Sequence, residues 1–388
     1  MTVRVNKSSF NIREKLSELA VKFGLKGSEL ARAETVQDAR DLISSGRKNL
    51  IINGAMNINQ RGTNITDISD GDFVVDRQLL YSTSVNSATF DVSSSTESPV
   101  GFTNSLRFVV NGAAALSAAG YVGFEQAIEG FNAAHLSYGS ANAKTITASF
   151  WCRSSEPGTF AYTIRNSVFN RTYIKEFTIN NADTWEYKTL TFPGCTDGTW
   201  LTTNGVGQRH TIIIDGGTDF LGTPNIWNTS NLFVTSGMSN TWADTSGNTF
   251  YITGWQVEVG KNATEFEHRS YGEELALCQR YYYKLAAYEN YTRWATGWAI
   301  SSTQATFLIK FPVTMRANPA DPTLVGTVQA SDGNNALPST SVVNVGSTKG
   351  IDGASVRITT ASGLVQFRPY YLESSNGTGN SIAFSAEL

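Results

Sequence analysis

The sequence predicts a mainly β protein with an N-terminal α-helical hairpin, an antiparallel jelly-roll β-sandwich and a smaller C-terminal β domain. Three observations carry that expectation. Apolar and polar residues alternate with period two in about ten runs after Asn49, and loops of Gly, Asn, Ser and Thr separate those runs. A helical period dominates only the first 48 residues. A length of 388 residues exceeds one ordinary core, which favours separate parts at 1–48, 49–270 and 271–388.

The stretch SFNIREKLSELAVKFG sets Ile12, Leu16, Leu19 and Phe23 at helical spacing and stops at Gly24. A second pattern runs through Leu30, Val36 and Ile43, with Arg47 and Lys48 at its carbonyl end, where the helix dipole favours cations. Two short helices bury too little surface to stand alone. These apolar positions are therefore expected to dock on another protein or on sister copies, and the bland alternative folds them back on the same chain. The segment holds ten Lys or Arg against six Asp or Glu, whereas the whole chain has a net charge of -3.

Strands are expected next. NLIINGAMNINQRG reads as an apolar run followed by alternation, and TITASFWCRSS puts Ile146, Ala148, Phe150 and Cys152 on one face with Thr147, Ser149, Trp151 and Arg153 on the other. FVVDRQLLY, SLRFVV, YVGFEQAI, TFAYTIRN, TYIKEFTI, WEYKTLTF, HTIIIDG and TFYITGWQVEV continue the pattern. Short connections and one wet face per strand imply two antiparallel sheets packed face to face. Beyond Tyr271, GEELALCQRYYYKL reads as a short helix with Glu273 and Glu274 at its start. Strands resume in YTRWATGWAI, QATFLIKFP, PTLVGTVQA, ASVRITTA, LVQFRPYYL and NSIAFSAEL. The stretch from Ser331 to Gly353 has turn chemistry and reads as a surface loop.

Composition excludes several functions. Lys and Arg are not clustered as a nucleic-acid surface requires, and no apolar run reaches membrane-span length or forms a secretory leader. Nucleic acid and membrane insertion are not expected. Cys152, Cys195 and Cys278 lack metal or disulfide-framework spacing, and His135, His210 and His268 lie far apart, so no metal or other cofactor is expected. Glu125, Glu129, Asp215 and Asp219 read as solvated turn acids, not as the carboxylate pair of a glycosidase. No catalytic residue is assigned, and the chain is expected to be non-enzymatic.

Aromatic residues are the better lead. Trp200, Trp227 and Trp242 fall in polar connections, where flat rings can stack on sugar faces, although stapling loops to the sandwich is the competing use. Tyr291, Trp294 and Trp298 form a second candidate group, while Trp185 and Trp255 read as core.

KNLIINGAMNINQRG, TITASFWCRSSEPGTFAYTIRN, DTWEYKTLTFPG and above all YITGWQVEVGKNATEFEHRSYGEELALCQRYYYK resemble a family of bacteriophage tail-fibre and related virion appendage proteins. The likeness covers residues 49 to about 318, and NIREKLSEL with RAETVQDARDLISSGRKNLIING resembles the virion-proximal end of fibres from marine and cyanobacterial phages. Trp255 stands where that motif often has an aliphatic residue. The resemblance implies a homotrimer on the outside of the phage particle, anchored to tail or capsid proteins through residues 1–48. Its middle domain would be similar to carbohydrate-binding modules and contact host surface glycans. A capsid head fibre or decoration protein is the alternative, and a glycan depolymerase the second. Tyr281 to Tyr283 are expected to pack between the two β domains.

Overall fold

A computed structural model describes residues 48–62, 64–66, 70–83 and 87–388. The expected helical hairpin, with Ile12, Leu16, Leu19, Phe23, Leu30, Val36 and Ile43, lies outside the described residues.

Twelve strands build the first unit: β1 (Asn64–Ile65), β2 (Leu79–Thr83), β3 (Thr89–Ser95), β4 (Ser105–Gly112), β5 (Tyr121–Glu129), β6 (Ile146–Ser154), β7 (Gly158–Arg165), β8 (Thr172–Ile179), β9 (Glu186–Phe192), β10 (Val206–Gly216), β11 (Trp227–Asn228) and β12 (Thr249–Val259). They form two six-stranded sheets, in the orders β1-β3-β4-β12-β6-β9 and β11-β8-β7-β10-β5-β2. Successive strands cross repeatedly from one sheet to the other, as in a jelly roll, and the named pairs are antiparallel. The alternation read in β6 is observed: Ile146, Ala148, Phe150 and Cys152 are buried between the sheets beside Phe108, Phe124, Tyr162, Ile212 and Trp255. A short helix α1 (Gly130–Ala133) leaves β5.

NLIING is not a strand, because asparagine side chains replace its ladder. Asn49 Oδ1 accepts from the Ile51 and Val257 amides at 2.9 and 3.0 Å, and Asn49 Nδ2 donates to the Trp255 carbonyl at 3.1 Å. Asn53, at φ 58, spans a turn by accepting from Ile58 N and donating to Ile58 and Asp76 carbonyls. Gly54 passes so close to β12 that an added Cβ would sit 2.0 Å from the Trp255 carbonyl oxygen. The exit of the sandwich is stitched to this entry. Glu267 accepts from the Lys48 and Asn49 amides at 2.7 Å each, Arg269 donates to the Ile51 carbonyl at 3.2 Å, and Glu274 accepts from Asn53 N at 2.6 Å.

Helix α2 (Tyr271–Gln279) follows, capped by Ser270 accepting from Glu273 N. It ends earlier than the sequence pattern implied: Tyr282 already begins β13 (Tyr282–Ala286). The remaining strands are β14 (Arg293–Ala299), β15 (Gln304–Lys310), β16 (Thr323–Val325), β17 (Val328–Ser331), β18 (Ala336–Gly350), β19 (Gly353–Thr360), β20 (Pro369–Ser374) and β21 (Ser381–Ser385). A closed barrel β14-β15-β19-β18-β17-β20 packs against the sheet β13-β21-β16. The stretch expected to be a loop contains the barrel strand β18. Closure gives its backbone a ladder to both β17 and β19, so it forms with few apolar residues.

The three tyrosines divide between the units. The Tyr281 hydroxyl donates to Glu129 at 2.8 Å beneath the Arg77 guanidinium, Tyr282 lies 3.6 Å under Arg61, and Tyr283 packs on Phe311 in the second unit. Arg280 adds a bidentate pair to Glu129 at 2.9 and 2.6 Å.

Candidate functional site

The two outer faces of the sandwich differ. Residues 217–239 roof the sheet that holds β10, covering Tyr121, Ala161, Ile174 and Ile213 with Phe233, Val234 and Met238. Under this roof Arg165 meets Glu125 at 2.5 Å, Tyr81 at 2.7 Å and Asn231 at 2.9 Å, and Arg209 also pairs with Glu125. Burial works to raise the Glu125 carboxyl, but Arg165 and Arg209 outweigh it and hold the group below its ordinary value. The acids expected at solvated turns are thus mostly structural. Glu125 and Glu129 are buried in β5, and Asp215 is buried while accepting from the Ala243 amide at 2.9 Å; Asp219 is exposed.

The opposite sheet leaves part of its outer face open. Its β6 register places Trp151 between Tyr187 of β9 and Thr253 of β12, and the next row reads Arg153, Tyr251, Arg107, Ser93. Trp151 and Tyr187 lie 5.3 Å apart at 47°, and Tyr187 is 43% exposed. Beside them Arg153 bonds Glu97 at 2.6 Å and Asp183 at 3.2 Å, and its guanidinium lies over Tyr251. Arg107 Nε donates to the Tyr251 hydroxyl at 2.9 Å, and Trp185 packs edge-on against Tyr251. Rings that present one face, flanked by exposed carboxylates and a planar cation, can receive an amphipathic ring that carries hydroxyls.

Trp151, Tyr187 and Arg153 were not selected from the sequence. The period of β6 already put Trp151 and Arg153 on the wet face; the pairing with Tyr187 needed the register. Trp185, expected in the core, is half-buried on this outer face just before β9, whereas Trp255 is fully buried as expected. Trp242 is a correction: it is 1% exposed and stacks on Phe90 inside the sandwich, so it offers no face to a ligand. Trp200 and Trp227 are half-buried at the end of the sandwich near α1, 5.7 Å apart and edge to face with each other and with Tyr138.

Tyr291, Trp294 and Trp298 do not form one group. No ring contact joins them among the described residues. Tyr291 is an exposed turn residue at φ 61, Trp294 is half-buried with Nε1 donating to the Ala286 carbonyl, and Trp298 is 42% exposed on the outer wall of the barrel.

Fold and site together define a β-sandwich with one open aromatic face. No family model matches the chain, and no curated protein does. Among solved structures it is similar to a putative sugar binding protein from Bacteroides thetaiotaomicron, at 11% identity and a TM-score of 0.31 over 55% of this chain and 100% of that one. It is also similar to the family 11 carbohydrate-binding module from Clostridium thermocellum in complex with a β-1,3-1,4-mixed-linked tetrasaccharide, at 13% identity and a TM-score of 0.27 over 53% and 98%. A third is the enzymatically active domain of bacteriophage CBA120 tailspike protein 4, at 11% identity and a TM-score of 0.29 over 50% of this chain and 22% of that one. The chain thus matches about a fifth of that tailspike domain. At such identities and scores the likenesses carry no argument.

Proposed function

We propose that this chain is a non-enzymatic appendage protein of a phage virion, a tail fibre or spike, that adheres to host surface glycans through the open face of its sandwich. The observation that carries the reading is the Trp151 and Tyr187 pair beside Arg153, Glu97 and Asp183 on the open part of that sheet. Stacking would take the apolar side of a sugar, and the charged groups its hydroxyls. The resemblance of the 251–285 stretch to fibre proteins supports the setting, with residues 1–48 as the anchor to tail or capsid proteins and a homotrimer on the particle exterior. Shallow faces bind weakly one at a time, and three copies would raise the avidity. The engagement of Glu125, Glu129 and Asp215 in buried contacts supports adhesion over hydrolysis.

The test measures binding of the full chain to host capsule or lipopolysaccharide by surface plasmon resonance, alongside an assay for new reducing ends. Saturable binding that Trp151→Ala weakens by roughly 10- to 100-fold, with no reducing ends released, is expected. Steady release of reducing ends would replace adhesion with depolymerisation, and binding indifferent to Trp151 would remove this face from the proposal.

A further inference from the structure

The outer wall of the barrel gathers apolar side chains that stay in solvent. In the register of β14, β15 and β20, Trp298 stands between Thr306 and Pro369, and Leu308 lies two residues along β15 on the same side, opposite Ser355 of β19. Phe307, Ile309 and Val356 alternate with them and fill the interior. Trp298 is 42% exposed and Leu308 63%. At the rim, the Phe367 amide donates to the Ala299 carbonyl at 2.8 Å, and the residue holds a φ of 66 that is costly for an aromatic side chain while its ring is 77% exposed. Single exposed apolar residues need no account, but three neighbours on one wall do.

The same wall is cationic. Lys310 is exposed two residues beyond Leu308, and Arg357 of β19 stands opposite Thr306 with its Nε buried and without a hydrogen-bond partner. Neither makes an ion pair among the described residues, whereas Arg293 is matched by Glu373, the one carboxylate in the sequence of the six barrel strands. The sandwich has the opposite balance. Residues 49–281 hold 21 Asp or Glu against 13 Lys or Arg, while residues 282–388 hold six against seven. The sandwich meets the barrel side at the end of β5, where Glu129 holds Arg280. Its other end carries Asp219, whose amide donates to the Ala118 carbonyl, and Asp244, next to the Ala243 amide that Asp215 holds. Both are exposed, and neither makes an ion pair among the described residues.

We infer that this wall docks on a second copy of the chain, with Trp298, Leu308 and Phe367 of one barrel against the sandwich of its neighbour and Lys310 and Arg357 facing Asp219 and Asp244. Wall against wall would set Lys310 and Arg357 against their own counterparts, and like charges across an interface oppose that pairing. A wall that meets a different surface makes a heterologous contact, which closes into a ring where the rotation permits. Such a contact supplies a homotrimer with an interface outside residues 1–48. The inference rests on the homotrimer part of the proposed function and is independent of the glycan face.

The test mixes unlabelled and heavy-isotope-labelled full chain, treats the mixture with a zero-length carbodiimide and reads mixed-isotope cross-links by mass spectrometry, alongside sedimentation. Cross-links from Lys310 to Asp219 or Asp244 of another copy are expected, together with a trimer whose cross-links decline as salt rises. Leu308→Asp, at an exposed position, should keep the circular dichroism spectrum and reduce the intermolecular cross-links at least about ten-fold. A trimer without mixed-isotope cross-links at Lys310, or with cross-links that survive Leu308→Asp, would leave the homotrimer standing and remove this wall from it. Sedimentation as a single copy would remove the wall contact and the homotrimer together. If that single copy floats with phosphatidylglycerol vesicles, the wall faces an anionic lipid surface instead.

Discussion

The two outer faces of the sandwich are built from the same kind of strand and hold the same kind of ion pair, yet they are finished in opposite ways. On the β10 sheet, Arg165 and Glu125 are sealed beneath residues 217–239. On the β6 sheet, Arg153 shares Glu97 and Asp183 with solvent, and Tyr187 stands exposed. Tyr251 and Thr253 on the β6 sheet's outer face are buried too, so the opening is confined to the neighbourhood of Tyr187 and Arg153. The open rings beside Arg153 are therefore a local property of that face and not a by-product of sandwich architecture.

The contrast predicts unequal costs for similar substitutions. Glu125→Ala would strand the Arg165 charge in a dry site and should cost about 3–5 kcal/mol in urea denaturation. A cost under about 1 kcal/mol would mean that the roof admits water. Asp215, sealed near residue 243, is the next lever. Burial raises its carboxyl to about 6 from 3.8, against the Ala243 and Gly216 amides, a rise that corresponds to roughly 3 kcal/mol. The folded state favours the protonated form, so this contribution is fully present below pH 3.8 and is lost as pH climbs through about 6. Melting curves should show Asp215→Asn gaining on the parent protein as pH rises from 4 to 7; parallel curves would contradict the burial.

On the open face the effects should move from stability to binding. Trp151→Ala should weaken glycan binding by roughly 10- to 100-fold while costing little stability, as for a ring that anchors a ligand. A large loss of stability with unchanged binding would make Trp151 a packing residue. Asp183→Ala should be the mildest, under about 1 kcal/mol in denaturation because its partner pair is open to solvent. A cost like that of Glu125→Ala would erase the distinction between the faces.

Much of the sandwich was legible because its strands bury one face: TITASFWCRSS carries its inward residues at strict alternation, and TFYITGWQVEV does so on either side of a bulge between Thr253 and Gln256, burying Phe250 and Ile252 and then Trp255 and Val257. Two segments misled for opposite reasons. NLIING has strand-forming side chains, yet Asn49 and Asn53 take over the backbone hydrogen bonds. The β18 stretch has loop-forming side chains, yet ring closure supplies neighbours on both sides. The candidate site was legible only by halves. Tryptophans in polar loops drew attention, but Trp242 dives into the core while Trp151 waits in a regular strand for its cross-strand neighbour. Which rings meet depends on register, and register is set by contacts distant in sequence.

The stitch formed by Glu267, Arg269 and Glu274 on residues 48–53 also has a mechanical meaning. The polypeptide enters and leaves the sandwich at one place, so tension applied between Lys48 and the barrel passes across this short suture. The twelve strands hang beside the load path like a bead on a closed loop, and peeling must begin at the suture before any sheet is pulled.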